Sequence, residues 1–92
     1  MFEDNCAAFI FWIKEDIARL HGFVEKKEKD WIRHCQEEID HARDKVEAFD
    51  NRVIIPQAEY DKHVGEIVEV RKSFEEACAT FEMAKAQAST NP

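Results

Sequence analysis

The sequence predicts an all-α protein, and three features carry that reading. The 92-residue chain contains only two Gly and two Pro, so few chain-breakers interrupt long regular elements. It lacks the alternating Val, Ile and Thr runs that read as strands. Apolar residues recur at three- and four-residue steps over most of its length, the period of a helix that packs along another helix. The architecture expected is a long antiparallel helical hairpin, with one helix over residues 4–50 and a second over 57–88. It would pack as an oligomeric helical bundle. Residues 1–88 form a single domain, and residues 89–92 a disordered tail without an apolar anchor.

The first helix starts at Asp4 or Asn5, either of which suits an N-cap. Eight apolar residues follow, CAAFIFWI over 6–13. Within and beyond them one stripe runs Ile10, Ile13, Ile17, Leu20, Val24, the seam of a helix facing a partner helix. The seam lapses around Lys27 and Trp31. It restarts one residue out of phase as Ile32, Cys35, Ile39, Ala42, Val46, Phe49, Val53, a slip that a long helix absorbs as a local change of supercoil. Gly22 admits two outcomes. As a residue just past a helix end it breaks the helix and makes a three-helix bundle. As an interior glycine it costs about 1 kcal/mol against Ala and the helix continues, kinked or straight. Continuation is favoured, because no Ser, Thr, Asn or Pro follows to start a new helix.

The stretch DNRVIIPQAEY, residues 50–60, is the turn. Asn51 suits the left-handed conformation that ends a helix, and Pro56 suits the start of the next. Val53 and Ile54 plug the bundle end or serve as a partner contact. The second helix carries the seam Tyr60, Val64, Ile67, Arg71, Phe74, Cys78, Phe81. With the turn centred near Val53 and Ile54, Val64 faces Ala42, Ile67 faces Ile39, and Arg71 lands near Gln36, Glu37 and Asp40. Arg71 is therefore expected to snorkel or to set register through an ion pair.

In such a hairpin the second helix reaches back only to Leu20 or His21, and residues 4–19 overhang. Burying one large apolar side chain contributes about 1.5–3 kcal/mol, so a wet overhang is not sustainable. A second copy of the chain is expected to cover Phe9, Ile10, Phe11, Trp12, Ile13 and Ile17, most simply as a two-fold dimer. Trp31 is expected in the core and Trp12 at the interface.

The net charge of −7 is spread along the chain and repels nucleic-acid phosphates and anionic lipid. Three cysteines, Cys6, Cys35 and Cys78, with no Cys-x-x-Cys pair, suit reduced thiols in a cytoplasmic protein. The apolar run fails as a signal peptide, since Glu3 and Asp4 precede it, and as a membrane span, since Lys14 follows too soon. No Gly-rich phosphate loop or nucleophile–base pattern occurs. The one stretch with ligand types is HCQEEIDHA, where His34, Glu38 and His41 share a helical stripe. Glu-x-x-His recurs in ferritin-like carboxylate sites.

The function expected from these features is a non-enzymatic protein–protein interaction module. It self-associates and modulates another, basic, protein as an inhibitor, immunity or accessory protein would, with no cofactor, nucleic acid or membrane. Val53, Ile54, Glu75 and Glu76 are the partner-facing candidates. A metal-carboxylate site at His34, Glu38 and His41, completed across an oligomer interface, is the alternative. An acidic DNA-mimic inhibitor is the second.

Overall fold

The computed structural model describes residues 1–90, and the side chain of residue 90 is not described. It is all-helical: α1 (Asn5–Lys26), α2 (Trp31–Ala48), the short α3 (Gln57–Lys62) and α4 (Val64–Thr90). The helix covers residues 89 and 90 of the expected tail, and 91–92 lie outside the described residues. None of the helices is long and apolar enough to cross a membrane.

α1 starts where Asp4, in extended conformation, accepts a hydrogen bond from the Ala7 amide at 2.8 Å. This side-chain cap satisfies a first-turn amide that has no intrahelical partner. α1 then continues straight through Gly22. It ends four residues later, where Lys27 takes the left-handed conformation (φ 48°, ψ 45°) and its amide donates to the Phe23 carbonyl at 3.0 Å. Asp30, also left-handed at φ 62°, turns the chain into α2. The continuous helix over 4–50 is thus corrected to two helices, and the break lies at residues 27–30, not at Gly22. The physical reason is the composition of KKEKD over 26–30. These residues have nothing apolar to bury, so continuing the helix there gains no packing, whereas reversing the chain lays α2 against the greasy face of α1. That gain outweighs two left-handed non-glycine residues, each a cost of about 1–2 kcal/mol.

α1 is the central helix. It packs along both α2 and α4, which meet each other much less. At one end the N-terminal residues meet the loop and corner before α4: the Asn5 amide group donates to the Ile54 carbonyl at 3.1 Å, and the Cys6 amide to Glu59 Oε1 at 3.1 Å. At the other end Trp31 sits edge-on to Phe81, with centroids 6.2 Å apart. α2 therefore runs antiparallel to α1, and α4 returns alongside α1 in a body 52 Å long.

The core follows from this. Cys6, Ile10, Ile13, Ile17 and Leu20 of α1 interlock with Cys35, Ile39 and Ala42 of α2 and with Ile67, Val70, Phe74, Ala77 and Phe81 of α4. The α4 seam keeps Ile67, Phe74 and Phe81 from the expected set. It leaves Val64 exposed at 48% and Arg71 half-buried. Tyr60 and Cys78 are partly buried against the core, and the face turned to α1 also recruits Val70 and Ala77.

The turn also differs in mechanism. Asn51 is not left-handed. Its Oδ1 accepts from the Val53 amide at 2.9 Å and the Ile54 amide at 3.3 Å, an Asx turn. Ile55, fully buried, plugs the bundle end, while Val53 is 91% exposed. This longer loop displaces the expected α2–α4 register. Arg71 bonds Asp50 at 2.9 Å and does not reach Gln36, Glu37 or Asp40.

Candidate functional site

The central placement of α1 divides the six expected interface residues. Ile10, Ile13 and Ile17 are covered by the chain's own helices and are at most 9% exposed. They are unavailable to a second copy, which corrects the expectation that all six face outward. Phe9 is half-buried. Phe11 and Trp12 remain exposed at 46% and 40%.

They are joined by Phe2, from the segment ahead of the helix. Its ring lies 5.2 Å from Phe11 and 6.0 Å from Trp12, and Phe9 lies 5.5 Å from Trp12, all centroid to centroid. Four aromatic rings thus form one continuous patch at the N-terminal end of the bundle. Sequence reasoning missed Phe2, since its contribution depends on the chain folding back ahead of Asp4, which no periodicity encodes.

That fold-back is held by His63, at the corner between α3 and α4. Its Nδ1 lies 3.1 Å from Glu66 Oε1. Its Nε2 lies 3.1 Å from both Asp4 Oδ2 and Glu3 Oε1. Lys62 pairs with Glu3 at 3.1 Å. The Glu66 hydrogen bond, then those of Asp4, hold the His63 pKa above its ordinary value against the opposing effect of burial. The Asp4 carboxyl is held below its ordinary value, chiefly by the Ala7 amide and further by His63, with burial opposing. Among the described residues this is the only place where three His, Cys, Asp or Glu side chains bring ligand atoms within 4.8 Å. Each is already engaged inside the cluster, so the arrangement is an ion-paired clamp.

The clamp has a defined pH dependence. A raised His63 contributes stability that is fully present below about pH 6.5 and is lost as the pH rises through its folded-state value. A lowered Asp4 contributes stability that is present above about pH 3.8 and is lost on acidification. The melting temperature is therefore expected to fall by a few degrees between about pH 6 and pH 8, below the range where the thiols ionise, and a His63→Gln variant to stay flat over that interval. Calorimetry at matched ionic strength measures this, and equal slopes for the two proteins would contradict it.

Of the other expected sites, His34, Glu38 and His41 line one shallow cavity beside Phe23. His34 and Glu38 are half-buried and His41 is exposed, and the three do not converge as ligands. Glu38 instead accepts from Arg19 Nε at 3.2 Å. Within one chain that carboxylate is thus engaged by a guanidinium across the α1–α2 seam. Glu75 and Glu76 lie on the outer face of α4, with Val68 and Met83 exposed at 59% and 66% on the same helix. Ile54 sits in the loop at 36% exposure.

Arg19 belongs to a network centred on Asp16, which is 1% exposed. Asp16 accepts from Arg19 and, at 2.6 Å, from Lys45. Burial, and then the neighbouring Asp16, push the Glu38 pKa up. The thiols are equally enclosed: burial first, then Asp4, Glu59 and Glu66, push Cys6 up to about 11, and Cys35 is raised by burial. Such thiols carry little thiolate at neutral pH.

Comparison with protein-family models, with curated proteins and with solved structures finds no match.

Proposed function

We propose that this chain is a small acidic recognition module that acts by binding, self-associating through the Phe2–Phe11–Trp12 patch and docking on another protein. The observation that carries the reading is the patch itself: three large aromatics, each 40–46% exposed, with the Phe2 ring against both Phe11 and Trp12 at one end of the bundle. Aromatic clusters of this kind anchor interfaces, because each ring buries much area at little conformational cost. A second copy is the simplest cover. A two-fold contact sets the same patch against itself, so every ring gains a partner. The net charge of −7 opposes close approach of two copies, so the dimer is expected to be of micromolar affinity and to tighten with added salt.

The outer face of α4 offers the second surface. Val68 and Met83 are exposed there, with Glu75 and Glu76 between them in sequence. Exposed apolar side chains at intervals along a carboxylate-bearing face suit a basic, amphipathic protein segment, steered by charge and held by apolar contact.

Sedimentation velocity from low to high micromolar concentration tests the reading. The wild-type chain is expected to pass from monomer to dimer, and the Phe11→Ser, Trp12→Ser variant to stay monomeric. Each ring is more than half covered within the chain, so the variant is expected to lose roughly 1–3 kcal/mol of stability and still fold, which circular dichroism checks. A wild-type protein that remains monomeric throughout, or a variant that still dimerises, contradicts it.

A further inference from the structure

We propose that the cleft between the end of α1 and the start of α2 binds a small, flat, amphipathic anion, an aromatic carboxylate or sulfonate. This site is distinct from the aromatic patch and does not depend on self-association. The cleft encloses about 420 Å³, within the roughly 300–1,000 Å³ of small-molecule sites. Its apolar walls are Phe23 from α1 and Trp31 from α2, and its floor includes Gly22. The imidazole of His34 stacks obliquely on Phe23 at 5.6 Å. Trp31 is fixed from behind by the edge of Phe81.

Two independent observations point to a ligand. The first is Gly22. Its φ is not positive, and a Cβ built there meets nothing within 4 Å. Neither backbone conformation nor crowding calls for glycine, and glycine weakens a helix interior. What its missing side chain provides is open space on the cleft floor, where a flat ring can approach the backbone. Gly65 also has open space around it, but it lies exposed at the start of α4.

The second observation is charge. Arg19, Lys26 and Lys29 line the cleft against the single carboxylate of Glu28. In a chain of net charge −7 this is a local reversal of sign. Arg19 is occupied by Asp16 and Glu38, but among the described residues Lys26 and Lys29 have no ion-pair partner. α2 begins at the same place, and its N-cap Asp30 makes no side-chain hydrogen bond to the first-turn amides. The positive end of that helix dipole adds to the two ammonium groups. A ring seated between Phe23 and Trp31 over Gly22 would place its acid group at Lys26 and Lys29.

The test is a heteronuclear NMR titration of the full chain with naphthoate, and in parallel with the neutral naphthalenemethanol. Naphthoate is expected to give saturable shifts confined to residues 22–34. The alcohol should bind about tenfold more weakly, since it loses the charge interaction with two ammonium groups. Gly22→Leu fills the floor and is expected to abolish binding while melting no lower than the parent. Lys26→Glu with Lys29→Glu, a surface change that leaves the walls intact, should weaken naphthoate and spare the alcohol. The proposal is overturned if naphthoate causes no saturable shift in 22–34, or if acid and alcohol bind alike. It is equally overturned if folded Gly22→Leu still binds, if the shifts centre on Phe2, Phe11 and Trp12, or if a glutamate-rich peptide binds the cleft more tightly than naphthoate.

Discussion

Ile13→Ala is expected to destabilise the isolated chain by about 3 kcal/mol, within the range for truncating a fully buried aliphatic side chain. Ile13 has no exposed surface and lies in the middle of α1, among the residues that α2 and α4 cover. The loss combines the transfer free energy of the deleted carbons with the cavity they leave, which a helix packed on two sides closes poorly. For a chain of this size each kcal/mol shifts the melting temperature by about 4–8 °C. The variant should therefore melt some 12–24 °C below the parent, if it folds at all. The shift should be the same at low and high micromolar protein. Were α1 an overhang covered by a second copy, the same substitution would loosen the dimer and leave monomer stability alone. Chemical denaturation at two protein concentrations separates these outcomes.

The second large effect is expected at Lys45. Its ammonium group lies 2.6 Å from Asp16, whose carboxylate is 1% exposed, also accepts from Arg19 and lies against Glu38. Lys45→Met leaves a buried carboxylate with one cation fewer and with Glu38 close by. Removing one partner of a fully buried pair costs about 3–5 kcal/mol. The Lys45 side chain is 27% exposed, so solvent screening lowers this, and about 2–3 kcal/mol is expected. Adding Asp16→Leu to Lys45→Met should recover most of the loss, since apolar replacement of a buried pair is close to neutral. A double-mutant cycle by urea unfolding reads the coupling directly. The deficit should also narrow in mild acid. The raised Glu38 pKa means that its protonated form is the one the fold prefers, so its contribution is present below about pH 4.5 and is lost as the pH rises through the folded-state value. A Lys45→Met variant as stable as the parent would show that Asp16 does not need it.

The sequence and the structure agree where the signal is local. The stripe Ile10, Ile13, Ile17, Leu20 is periodic, and all four are buried. Asp4 is a cap residue ahead of an apolar run and serves as the cap. Phe11 and Trp12 are adjacent large aromatics that cannot both enter one groove, and both stay outside. The reversal at 27–30 was hidden because it uses left-handed lysine and aspartate, not Gly, Asn or Pro. Its legible trace was negative: the absence of any apolar residue between Glu25 and Asp30. Once the break is missed, the interface is overestimated, since Ile10, Ile13 and Ile17 find their cover only when α2 and α4 flank α1. Asp16 was equally hidden. It sits three residues after Ile13 and four before Leu20, on the core-facing side. Only the packing shows that Lys45 from α2 meets it there. The stripe of His34, Glu38 and His41 is real, but helical spacing does not reveal that Arg19 reaches across to Glu38.

The patch, the cleft and the clamp all depend on a single chain closing its own core around α1. A distance measured by electron spin resonance tests this most directly, with labels at Glu15→Cys and Asp44→Cys in a Cys78→Ala background. Cys6 and Cys35 are buried and resist labelling. Both labelled positions are exposed, and in the bundle they flank the Asp16–Lys45 contact, so a single short separation of about 20 Å or less is expected for adjacent helices plus label arms. It should survive dilution with unlabelled protein. A continuous helix would hold the same sites about 44 Å apart at 1.5 Å per residue. That longer distance, or a short one that disappears on dilution, would contradict the account.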